Sequence, residues 1–144
     1  MALFHVERSA VLSAPEAWRR LTRWELHAAP VPLTRITVIN PGATGVGVRF
    51  VARTGLGPVG FDDLMEVTRW EPPRPGRPGV CRLEKRGRVV RGWAEIEVRP
   101  AASGCRVVWR EELRIIWLPR FFDGLTAGAG RLMFGRVMTD LLRG

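Results

Sequence analysis

The alternation in residues 104–117, GCRVVWREELRIIW, constrains the fold more than any other feature of the chain. In a strand, successive side chains point to opposite faces. The odd positions are Cys105, Val107, Trp109, Glu111, Leu113, Ile115 and Trp117, apolar but for one, while Arg106, Arg110, Glu112 and Arg114 fall on the other face. This pattern predicts an antiparallel strand with one face on the core and one in water. It also leaves Glu111 on the apolar face. Burying an unpaired carboxylate costs several kcal/mol unless it finds a partner, a proton or water. Three readings are open: Glu111 orients a ligand in a cavity, pairs with a buried arginine such as Arg131 or Arg136, or is turned to solvent by a bulge.

Further strands are predicted over residues 3–12, 34–40, 46–54, 61–70, 80–86 and 89–98, from β-branched and aromatic residues bounded by turn signals. Between the first two, Ser13-Ala-Pro-Glu16 has the form of a capping box with proline in the first turn. Ala17, Trp18, Leu21 and Trp24 then recur at helical spacing, and the helix is expected to stop before Pro30 and Pro32. The link NPGATGVG reads as a hairpin loop, since no P-loop Lys-Ser/Thr follows and the next element is a strand. A two-residue turn at Gly87-Arg88 would pair Leu83 with Gly92 and Cys81 with Ala94, and would leave Lys85 beside Val90 toward the rim. The next hairpin is then read with Gly92 opposite Glu111, Ala94 opposite Trp109 and Val90 opposite Leu113. After Pro119 the pattern turns helical, with Leu118, Phe122, Leu125, Ala129, Leu132 and Leu141 near one stripe. Gly124, Gly128, Gly130 and Gly135 each cost up to ~1 kcal/mol of helix propensity, so packing must hold this helix.

The 144 residues suit one domain spanning 1–144, with 46% hydrophobic and 26% charged residues. No apolar run approaches the ~20 residues of a membrane helix, and no signal peptide is read at the N-terminus. A cytoplasmic protein is expected, with Cys81 and Cys105 reduced and buried. Without CxxC or clustered histidines, neither a metal nor a cofactor is expected. His5 and His27 read as partly exposed, and no GxSxG elbow supports a serine nucleophile. The net charge of +9 comes from 23 basic residues spread along the chain, of which Lys85 is the one lysine. Neither a basic helix nor an exposed aromatic platform stands out, which argues against a nucleic-acid partner. A homodimer stays open.

The order is therefore strand, helix pair, six strands and a long final helix. With VLSAPEAWRRLTRWE, GATGVGVRF, FDDLMEVTRWEPP and GCRVVWREELRIIWLP in their places, the chain resembles the START-like superfamily, specifically the bacterial polyketide cyclase/dehydrase and lipid-transport group (SRPBCC). The resemblance implies an α+β helix-grip fold, in which a curved antiparallel sheet of about seven strands wraps a long C-terminal helix and two short helices follow the first strand. It also implies an apolar cavity between sheet and helix for a lipid-, polyketide- or aromatic-like ligand. No catalytic motif of the group transfers to particular residues. The strand pattern expects Met65, Gly92, Ala94, Trp109, Glu111 and Leu113 in the cavity wall, with Phe122, Leu125, Ala129 and Leu132 from the last helix. Asp63 points inward near a strand end, and Glu111 and Asp63 are the candidate acid–base groups. Three functions follow: a hydrophobic small-molecule binder, an aromatase/cyclase-like enzyme, or an interaction module with a closed pocket whose basic surface meets a protein or nucleic acid.

Overall fold

Seven strands form one antiparallel sheet in the computed structural model, which describes residues 2–28, 33–40, 44–56, 58–116 and 119–143. They are β1 (Ala2–Ala10), β2 (Thr34–Val38), β3 (Arg49–Leu56), β4 (Val59–Glu71), β5 (Gly79–Arg86), β6 (Val90–Ala101) and β7 (Gly104–Ile115). The order β1-β7-β6-β5-β4-β3-β2 joins chain neighbours from β2 to β7, and β1 closes onto β7. Helix α1 (Ala14–Leu21) and a 3-10 turn (Trp24–Ala28) follow β1, and α2 (Asp123–Leu141) ends the chain. This is the α+β helix-grip layout that the sequence order predicts. Pro30, Pro32, Trp117, Leu118 and part of the glycine-rich link lie outside the described residues.

Helix α1 starts where its cap requires. The Glu16 backbone N–H donates to Ser13 Oγ at 3.3 Å, and Pro15 stands in the first turn. The reciprocal half of the capping box is replaced by ion pairs, because the Glu16 carboxylate takes Arg19 at 2.7 Å and Arg20 at 2.9 Å instead. Ala17, Trp18 and Leu21 are buried, as their helical spacing predicts.

The last two hairpins keep the predicted faces but not the predicted partners. Arg86 pairs with Arg91, so four residues, 87–90, make the turn in place of Gly87-Arg88 alone. Leu83 therefore faces Ala94, and Lys85 faces Gly92. The next hairpin closes on Ala101 and Gly104, which sets Glu111 opposite Ala94 and Leu113 opposite Gly92. Both registers move by two residues, and a two-residue slip preserves which face a side chain takes. On the outer face the Arg82 guanidinium lies 4.5 Å from the Trp93 ring centroid.

Gly92 holds φ +133°, and a Cβ built there would stand 1.8 Å from the Glu112 carbonyl oxygen. That carbonyl belongs to the paired backbone of β7 and cannot swing away. Gly92→Ala is expected to cost about 1–3 kcal/mol in urea unfolding, and a loss below ~0.5 kcal/mol would contradict the argument.

Helix α2 buries Leu141 but not the rest of the stripe that its hydrophobic spacing suggests. Leu125 and Leu132 are 73% and 61% exposed, and Ala129 is exposed as well. The buried face holds Gly130, Gly135, Val137, Met138 and Leu141. The reason is close approach: a Cβ on Gly130 would stand 2.5 Å from Phe4 Cε1. Glycine supplies the contact surface against β1, so apolar periodicity points to the wrong side. The core between sheet and helices is built from Phe4, Leu21, Trp24, Phe50, Leu83, Ile96, Trp109 and Met138. Cys81 and Cys105 are buried and unbridged, and burial pushes the Cys81 thiol up to about 12.

Candidate functional site

Three ionisable side chains meet on the concave face of the sheet. Asp63 comes from β4, Lys85 from β5 and Glu111 from β7. The Lys85 ammonium donates to Asp63 Oδ2 at 2.6 Å and lies 3.9 Å from Glu111 Oε2, an ion-pair distance too long for a hydrogen bond. Its third neighbour is Met65 Sδ at 3.7 Å. Trp109 Nε1 donates to Glu111 Oε1 at 3.3 Å. The Lys85 and Glu111 side chains are 2% and 1% exposed, and Asp63 is 16% exposed.

The sheet itself brings them together. β5 and β7 lie two strand spacings apart, roughly 9–10 Å. Between them β6 presents only Gly92 and Ala94, so the Lys85 stem can cross over β6 toward Glu111. Larger residues at those positions would stand in the way.

The charges do not balance if every group is ionised: one ammonium faces two carboxylates in an apolar wall. Burial raises the Glu111 pKa; Lys85 pulls it down, Asp63 pushes it up, and the net direction is up. For Lys85, burial alone would lower the pKa, but the charges of Glu111 and Asp63 and the hydrogen bond to Asp63 outweigh it and hold the ammonium above its ordinary value. The coherent state is Lys85 charged and hydrogen-bonded to Asp63, with Glu111 pushed by burial toward its protonated form. Two oxygens, Asp63 Oδ1 and Glu111 Oε2, are buried and make no hydrogen bond among the described residues.

Of the three readings for Glu111, the solvent-facing one is excluded by its burial. The arginine-paired one is corrected in its partner. Lys85 is the cation, and Arg131 and Arg136 line a groove on the outside of α2. Lys85 itself is not a rim residue. The available signal was a lone lysine sharing a strand face with Cys81 and Leu83, both buried.

Met65 and Leu113 are half-buried beside the cluster. Trp109 is closed off: its ring stacks on Phe134 at 4.8 Å and lies 5.5 Å from His27, and Phe134 stacks on Phe4 at 5.8 Å. The expected hollow is thus packed with side chains at the Trp109 end. Phe122 is half-buried, and Leu125, Ala129 and Leu132 look outward, so this part of the expected lining is not assembled. Cavities lined by described residues lie elsewhere. One of about 530 Å³ runs outside α2 along Arg8, and one of about 210 Å³ lies between Thr22 and Val48. Leu132 is the one expected lining residue in either, and it belongs to the outer groove.

His5 is exposed. His27 is buried against Trp24 and Trp109 instead of partly exposed. Its Nε2 donates to the Leu21 carbonyl oxygen at 2.7 Å in the neutral ring, and burial lowers its pKa to about 4. No helix among the described residues is long and apolar enough to cross a membrane.

No protein-family model matches the sequence, and no curated protein sequence matches it. Solved structures do match in fold. The protein TTHA0849 from Thermus thermophilus superposes with a TM-score of 0.68 at 14% identity, covering 97% of this chain and 93% of that one. Ara h 8.0201 gives 0.63 at 11% identity with 97% of both chains covered. Norcoclaurine synthase from Thalictrum flavum, in complex with dopamine and hydroxybenzaldehyde, gives 0.62 at 16% identity, with 96% of this chain and 84% of that one covered. The strand order, the paired short segments after β1 and the final helix against β1 thus give this chain the helix-grip fold that these solved structures share.

Proposed function

We propose that the protein binds a small, mainly apolar molecule on the concave face of its sheet, with Lys85, Asp63 and Glu111 holding the molecule's polar end. One observation carries this reading: two buried carboxylate oxygens, Asp63 Oδ1 and Glu111 Oε2, lack hydrogen-bond partners among the described residues in an otherwise apolar wall. Leaving such groups unsatisfied costs about 1–3 kcal/mol each, more when charged. A ligand that donates to Asp63 Oδ1 and accepts from the protonated Glu111 would recover that cost. Its apolar body would lie against half-buried Met65 and Leu113, and Asp63, the most exposed of the three, marks the side of approach. The helix-grip neighbours support a binding role, since norcoclaurine synthase is described with two small aromatic molecules bound.

A second reading uses the same groups for chemistry. A carboxyl held neutral by burial can give a proton, and an ammonium beside it can stabilise the anion formed. That is the acid–base role expected of Glu111 and Asp63 in an aromatase/cyclase-like enzyme.

Native mass spectrometry of the protein purified from its own host tests binding directly. A bound mass between that of a small aromatic and a lipid is expected. Glu111→Gln should weaken its retention about tenfold, the worth of one buried polar contact, whereas Leu132→Gln on the outer helix face should not. Equal retention in Glu111→Gln and the unaltered protein would overturn the placement. Retention weakened only about tenfold, with turnover of that molecule abolished, would favour the enzyme over the carrier.

A further inference from the structure

The outer groove of about 530 Å³ is a second site of different chemistry. Its walls carry Arg8 from β1, Arg131 and Arg136 from α2, and Arg143 just beyond the helix end. Gly128 and Gly135 line the same groove and add no side chains to fill it. Asp140 is the one acid in the lining, set against four guanidinium groups.

These four arginines are gathered in one concave site without counter-ions among the described residues. Nine other arginines, Arg53, Arg69 and Arg106 among them, lie within ion-pair distance of a carboxylate. Arg8, Arg131, Arg136 and Arg143 form no ion pair among the described residues. Arg8 is held in place by hydrogen bonds, donating from Nε to Thr139 Oγ1 at 3.2 Å and from a terminal nitrogen to the Glu7 carbonyl at 2.7 Å. Positive charge is thus gathered in a concave site and left unneutralised, in a chain that pairs many of its arginines elsewhere. Guanidinium groups are planar forks that match the oxygens of phosphate, and the groove has the size of a small-molecule site.

We propose that this groove binds a dianionic phosphoryl group, either on a small soluble molecule or as the head of a lipid. Inorganic pyrophosphate is the first probe. Calorimetric titration into the full chain should show saturable binding of one pyrophosphate per chain. The variant R131Q/R136Q/R143Q should weaken it by about tenfold or more, because charge-assisted bidentate contacts are lost. The control R53Q/R69Q/R106Q removes the same formal charge from paired sites and should change the dissociation constant less than about threefold. None of the six positions is buried, and circular dichroism with thermal unfolding checks that both variants remain folded. Equal weakening in both variants would reduce the effect to net charge and overturn the site. So would the absence of saturable binding to both pyrophosphate and vesicles.

Vesicles of phosphatidylcholine, with and without phosphatidic acid, separate the two sources. Retention that requires phosphatidic acid and is displaced by pyrophosphate supports a lipid head. Pyrophosphate binding without vesicle retention supports a soluble ligand. Equal retention on phosphatidylcholine alone would mean that apolar contact dominates, and would overturn a phosphoryl site as the cause.

Discussion

Replacing Lys85 with methionine is expected to destabilise the fold by about 3–5 kcal/mol, because it strips the cation from buried Glu111 and half-buried Asp63. Asp63 would lose its 2.6 Å partner, and Glu111 the charge 3.9 Å away. Methionine fills much of the lysine stem's volume, so lost packing contributes little. The charge argument has its own control. Adding Asp63→Asn and Glu111→Gln to Lys85→Met removes every formal charge from the cluster and should recover most of the loss in urea unfolding at neutral pH. A triple variant as unstable as the single one would show that Lys85 acts through packing. The pH dependence has a fixed sign. Because the Lys85 pKa is raised on folding, its stabilisation is fully present below the ordinary lysine value, about 10.4, and is lost as pH climbs through the folded value. Glu111 acts in the opposite sense. Its pKa is raised, so stability declines as pH rises from the ordinary carboxylate range, about 4.3, through its folded value, and Glu111→Gln removes that decline.

The second large effect belongs to His27. Folded, its ring stays neutral down to about pH 4; unfolded, it takes a proton near 6.5. Between these values the unfolded chain binds more protons, so stability falls as pH falls. The loss expected across this window is about 3 kcal/mol. The ring sits between Trp24 and Trp109, with centroids 5.6 and 5.5 Å away, and its one polar contact among the described residues is the Leu21 carbonyl. Protonation would place a charge there, and the pull of Glu25 is too weak to offset its burial. His27→Gln keeps an N–H for Leu21 and should flatten this acid limb while lowering stability at neutral pH. An acid limb that persists unchanged in His27→Gln would move its cause to other groups.

Which parts of this architecture can be read from the sequence follows a physical rule. Face alternation is local, so the buried positions Cys105, Val107, Trp109 and Glu111 were legible from β7 alone. Register depends on the turn. Gly87-Arg88 suggested two residues where the chain uses four, and every predicted partner from Leu83 to Leu113 moved by two. The acid cluster was half legible. Asp63 and Glu111 stood out as carboxylates on apolar faces, but their shared cation sits on β5, two strands from Glu111, and is reached across Gly92 and Ala94. No local pattern encodes a contact across an intervening strand. Helix α2 misled for a different reason. Hydrophobic periodicity assumes that large side chains make the interface, whereas Gly130 and Gly135 meet Phe4, Val6 and Arg8 directly. The apolar residues left outside, Leu125 and Leu132, therefore resembled a lining that the structure does not build. His27 was misjudged because its neighbours in space, Trp109 above all, come from distant parts of the chain.

The binding and catalytic readings share one premise: Glu111 retains a proton inside the wall at a pH where a solvated glutamate has lost it. The carboxyl carbon of Glu111, labelled with 13C and assigned by its disappearance in Glu111→Gln, reports this directly through an NMR pH titration. A midpoint clearly above the ordinary glutamate value of about 4.3 is predicted, rising further when Lys85 is replaced by methionine. A midpoint at or below that value, unmoved by loss of Lys85, would contradict the account.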